Sequence, residues 1–76
     1  MSEQEWINCF GEAVIDGLHK MNMSQRDLAI ATGLSDAAIS YYVRKIKMPS
    51  PKAIVNIAYA LDLDFNELMD FGDTIN

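Results

Sequence analysis

The sequence predicts an all-α fold, a compact arrangement of five helices, and three observations predict it. Trp6, Phe10, Val14 and Leu18 recur every four residues, which lays an apolar stripe along one side of a helix. Serines stand at Ser24, Ser35 and Ser50, where a hydroxyl can accept the first free N–H of a helix that follows. Gly33-Leu34-Ser35 then separates two short helical stretches by a stop, an apolar plug and a cap, a turn too tight for any other junction.

The elements follow in order. The first helix runs from about Glu3 to Lys20, with Ile7 and Met21 beside its stripe, and Asn22 is a reasonable stop. The second, Gln25 to Thr32, carries Leu28, Ala29 and Thr32 on one face. Gly33 ends it, because the residue after a helix often needs a positive φ that glycine adopts cheaply. The third runs from Asp36 to Arg44 behind Ser35. Ile39, Tyr42 and Val43 form its buried stripe, and Ala29 is small where the two helices would cross. Lys45 to Ser50 is a basic loop. Pro51 opens the fourth helix at the position where a missing N–H costs nothing, and that helix continues to about Leu61. Asp64 is expected to cap a short fifth helix through Met69. Residues 1–76 read as one domain without repeat, linker or low-complexity tract.

Residues 24–44 therefore form a helix-turn-helix unit, whose usual purpose is to set its second helix into a DNA major groove. Ser24-Gln25, Leu28-Ala29, Gly33 and Ile39 stand where the lambda-repressor/Cro (XRE-type) family has its motif residues. Pro49-Ser50-Pro51, Ile54, Ile57-Ala58, Ala60-Leu61, Phe65 and Leu68 resemble that family's last two helices. The chain resembles the family from roughly Phe10 to Phe71. Two departures stand out. Family members often pair an Arg in helix one with a Glu late in helix three, and the matching residues here are Leu18 and Val43, an apolar pair that can replace an ion pair without loss of stability. The Gly that often ends the recognition helix is replaced by Arg44-Lys45. Trp6 lies in an extension before the family's usual first helix, where it either completes the core or covers a partner surface.

Composition bounds the function. Seventy-six residues are near the lower size for folding without staples, and half of them are apolar. Cys9 is the only cysteine, which rules out an internal disulfide and fits a reducing cytoplasm. No apolar run approaches membrane-spanning length, and MSEQEW is unlike a signal peptide, so a cytoplasmic location is expected. The net charge is −5, but it is unevenly placed. From Ser24 to Lys52 the residues Arg26, Arg44, Lys45, Lys47 and Lys52 face Asp27 and Asp36, a net +3. Met1 to Met23 holds Lys20 against Glu3, Glu5, Glu12 and Asp16, a net −3; Ala53 to Asn76 holds Asp62, Asp64, Glu67, Asp70 and Asp73 unopposed, a net −5. Acidic ends should weaken non-specific binding to nucleic acid.

The expected DNA-binding residues are Ser24, Gln25, Ser35, Asp36, Ala37, Ser40, Tyr41, Arg44, Lys45 and Lys47. Gln25 and its helix end would meet a phosphate, against the plainer alternative of a capped helix with a solvated Gln25. Asp36, Ala37, Ser40 and Tyr41 form the outer face of the third helix. Ser40 can donate or accept, Tyr41 offers a hydroxyl, Ala37 can touch a thymine methyl and Asp36 can accept from a cytosine amino group. The alternative is a solvated face with no partner, because the set lacks the Arg, Gln and Asn common in bidentate readout. Arg44, Lys45 and Lys47 follow the recognition helix, where contacts to the DNA backbone are expected, against the plainer alternative of a solvated loop. Cys9 reads as a packing residue and His19 as a helix-end charge. Neither a nucleophile with its base nor a metal-ligand cluster is legible. No catalytic residue, cofactor or metal is expected, and the chain reads as a non-enzyme.

The function expected is that of a sequence-specific DNA-binding transcriptional regulator of repressor type, bacterial or phage, acting by occupancy. Its partner would be double-stranded DNA bearing a palindromic operator. A homodimer is expected through Phe65, Leu68, Met69, Phe71 and Ile75, since a short fifth helix and tail cannot bury all of them, against the plainer alternative of a monomer with a frayed tail. The rival is a protein-interaction module such as an antitoxin or antirepressor, whose acidic C-terminal surface would bind a basic protein.

Overall fold

The computed structural model describes residues 2–64. Among the described residues four helices follow one another: α1 Glu3–Met21, α2 Gln25–Thr32, α3 Asp36–Val43 and α4 Pro51–Ala60. Among the described residues there is no strand. The expected fifth helix and the apolar tail that was to form a dimer lie outside the described residues.

All four helices begin in the same way. Ser2, Ser24, Ser35 and Ser50 are N-caps, and each Oγ accepts the N–H three residues on, at 3.0–3.2 Å. A residue with positive φ closes each end: Asn22 at 53° and Gly33 at 75° are themselves the caps of α1 and α2, whereas Lys45 at 62° and Asp62 at 54° stand one residue past the caps Arg44 and Leu61 of α3 and α4. After α1, α3 and α4 the next N–H reaches back to close the end, Met23 to the Leu18 carbonyl, Ile46 to Tyr41 and Leu63 to Ala58. That pattern satisfies carbonyls the helix ladder leaves free. The helix ends fall within one residue of the sequence expectation.

α1 packs on α3, and α2 packs on both α3 and α4. Phe10, Val14, Leu28, Ile39 and Ile57 are fully enclosed at the centre. Trp6 stacks face to face on Phe10, with ring centroids 5.5 Å apart, and Tyr42 meets the same ring edge-on at 6.1 Å. Trp6 thus completes the core. Ala29, Ala53 and Ala58 are buried as small residues between helices. Met21 departs from expectation, being 46% exposed. It is the last helical residue, the chain turns away at Asn22, and Met23 packs against the core instead.

Candidate nucleic-acid interface

The turn between α2 and α3 is built from local bonds. Thr32 Oγ1 donates to the Leu28 carbonyl at 2.7 Å and accepts the Leu34 N–H at 3.3 Å. Gly33 donates its N–H to the Ala29 carbonyl at 2.9 Å. Leu34 is half-buried against the core, the plug its position predicted. This short corner leaves Ser35 free to cap α3 at once.

The start of α2 is a closed capping box. Ser24 Oγ accepts the Asp27 N–H, and the Ser24 N–H donates to Asp27 Oδ2 at 3.0 Å. The Ser24 backbone N–H, with its hydroxyl second, holds the Asp27 carboxyl below its usual range. The next N–H groups, those of Gln25 and Arg26, precede the helix ladder and point outward along the axis. Gln25 itself is exposed.

α3 divides cleanly. Ile39 and Tyr42 are buried, and Val43 is half-buried against the same core. Asp36, Ala37 and Tyr41 are exposed, Arg44 is exposed just past the helix, and Ser40 is half-buried between them. At 100° per residue these five share one continuous arc pointing away from the core. Ser35 is exposed at its upper end. Tyr41 and Tyr42 thus take opposite sides, as adjacent helical residues must.

Gln25, Ser24 and Asp27 line an open cleft together with Val43, Leu18, Ile15 and His19. The start of α2 and Val43 in the last turn of α3, one residue before Arg44, are thus two walls of one open cleft whose third wall is the end of α1. Leu18 and Val43, where the resembling family has its ion pair, share this cleft as apolar walls.

The basic loop is not uniform. Arg44 and Lys47 are exposed. Lys45 turns the other way: its side chain crosses Gly11 and its Nζ pairs with the Glu12 carboxylate on α1. Its carbonyl accepts from Gln4 Nε2 at 3.3 Å. The sequence grouped Lys45 with the outward cations, whereas the fold gives it to α1. Charge and position along the chain carried no sign of this, because the contact depends on Gly11, more than thirty residues away in the chain. Sequence reading also passed over Ile46 and Met48, which are 56% and 38% exposed beside Arg44 and Lys47.

No helix among the described residues is long and apolar enough to cross a membrane. Comparison with known proteins gave one family match, to the helix-turn-helix family over residues 18–68. No curated protein and no solved structure matches. The matched span takes in the end of α1, the whole α2–turn–α3 unit, the basic loop and α4. With two thirds of its length inside that match, and with the capped α2, the glycine turn and the outward arc of α3 in register, the chain belongs to the lambda-repressor/Cro (XRE-type) helix-turn-helix family of DNA-binding regulators.

Proposed function

We propose that the protein is a sequence-specific transcriptional regulator of repressor type that reads DNA with the outward arc of α3. Asp36, Ala37, Ser40 and Tyr41 face base edges in the major groove. Ser24, Gln25 and the free N–H groups of α2 meet one phosphate, while Arg44 and Lys47 meet others and fix the register. Ser35 caps α3 and holds its N-terminal turn at the groove. The observation that carries this reading is the shared cleft: Gln25 and Val43 line it together, so α2's start and α3's end form one docking edge. No catalytic step belongs to it. Two copies on a palindromic site would set their α3 helices about 34 Å apart, and occupancy would block polymerase.

Selection of bound duplexes from a random pool, followed by gel shift at low and moderate salt, tests the reading. Gln25→Ala, Arg44→Ala and Lys47→Ala should each weaken binding to all sequences alike, and loss of Arg44 or Lys47 should make the salt slope shallower by about one. Ser40→Ala and Tyr41→Ala should change the selected motif, at about 1–3 kcal/mol per lost base contact. A triple variant of Gln25, Arg44 and Lys47 that bound as well as the natural chain would place the docking edge elsewhere. The net charge of −5 favours a second reading, a module that binds a basic protein through its acidic surface. Failure to select any duplex would favour that one.

A further inference from the structure

Five cationic side chains lie between Ser24 and Lys52, and one of them is already engaged within the fold. Lys45 stands at φ 62°, a conformation that L side chains adopt at a cost. Its stem lies where α1 has no side chain: a Cβ on Gly11 would sit 2.8 Å from Lys45 Cγ and 2.8 Å from the Tyr42 carbonyl. Its ammonium is taken by Glu12, and its carbonyl by Gln4. Gln4 and Gly11 are seven residues apart, so they share one face of α1, with Glu12 beside it. Three neighbouring residues of one helix thus hold a single residue of the loop that follows α3.

We infer that Glu12 and Lys45 form a charge latch that serves DNA recognition twice, by fixing the pose of the loop that carries Arg44 and Lys47, and by withholding one ammonium from DNA phosphate. This rests on the DNA-binding reading above. Binding to arbitrary sequence comes almost wholly from cations that displace counterions from phosphate, each adding about 0.9 to the salt slope. Discrimination is the ratio of specific to non-specific affinity. A cation paired inside the protein lowers the non-specific arm and leaves the base contacts of α3 untouched. Lys45 is therefore a positioning residue, and Glu12 a residue that sets specificity without touching a base. The pair is partly solvent-exposed, with side chains 31% and 58% accessible, so removing either charge opens no cavity.

Glu12→Gln frees the ammonium while keeping the shape, and Lys45→Met keeps the stem over Gly11 while removing the charge. Affinities for a selected and a scrambled duplex, measured between about 50 and 200 mM salt, separate the roles. Glu12→Gln should bind the scrambled duplex several-fold more tightly, with a slope steeper by about one, and its selected-to-scrambled ratio should fall. Lys45→Met should lose affinity for the selected duplex at an unchanged slope. A Lys45→Met slope shallower by about one, with Glu12→Gln indistinguishable from the natural chain, would overturn the latch and make Lys45 a phosphate contact. If the natural chain bound neither duplex, the DNA reading would fall by itself. Hydrogen exchange of the Ile46 amide, bonded to the Tyr41 carbonyl at 3.0 Å, reads the loop-fixing half of the latch without DNA. Faster exchange in both variants at an unchanged melting temperature supports it, and unchanged exchange overturns it.

Discussion

Gly33 and Lys45 both turn the backbone through the left-handed region, and they do so by opposite means. At Gly33 a Cβ would meet nothing within 4 Å, so glycine is there for its φ of 75° alone. The corner inside the helix-turn-helix is self-contained, closed by Thr32 and the Ala29 carbonyl. At Lys45 the chain uses a long charged residue at φ 62° and crowds it with Gln4, Gly11 and Glu12. The entry to α3 is thus set by local backbone chemistry, and the exit from α3 by another helix. An insult to α1 should loosen the exit, whereas an insult to the turn should stay in the turn.

The largest expected effect breaks the exit at its root. Phe10 lies between Trp6 and Tyr42 and joins α1 to α3, so Phe10→Ala should cost about 3–5 kcal/mol. Urea denaturation measures it, and a loss under about 1 kcal/mol would mean that α1 is dispensable for holding α3. Gly33→Ala should cost about 1–2 kcal/mol, from the positive φ without a clash. Its effect on exchange should be confined to the α2–α3 turn, leaving Ile46 protected. Lys45→Gly removes strain and an exposed ion pair together, terms of about 1 kcal/mol that oppose each other. Its melting temperature should barely move while the Ile46 amide exchanges faster. A clear drop in melting temperature would make the ion pair a stability element as well as a local clasp.

The smallest effect sharpens the entry side and depends on pH. Asp27 has a lowered folded pKa, so its capping bond stabilises the fold above the ordinary carboxyl value of 3.8 and is lost as pH falls through the lower folded value. Asp27→Asn should melt below the natural chain by a constant margin above about pH 5, and the two curves should converge in acid. Parallel curves down to pH 2 would show that the carboxylate charge is not what holds the box.

The helix boundaries were legible because their signals are local. Ser24, Ser35 and Ser50 act within three residues of themselves, and Asn22 and Gly33 act on their own φ. Ile39 and Tyr42 were legible as core, and Tyr41 as surface, because a helical period assigns opposite sides to neighbours. Met21 fell on the expected stripe and is nevertheless exposed, since a period cannot tell that the chain turns away one residue later. The turn of Lys45 towards α1 was not legible for a related reason. A lysine after the third helix has the chemistry of a phosphate contact, and its pairing with Glu12 depends on a bare spot at Gly11 that composition does not mark. A glycine inside an otherwise regular helix costs about 1 kcal/mol against alanine and was the available clue.

Trp6 is the sole tryptophan of the chain, 5% exposed and stacked on Phe10. It sits on the same first turns of α1 as Gln4, which holds the Lys45 carbonyl. The protein thereby carries its own optical gauge at the clasped end of the molecule. Indole emission reports a dry, stacked environment while α1 is seated, and shifts to the red when that end lifts into water, with no label attached.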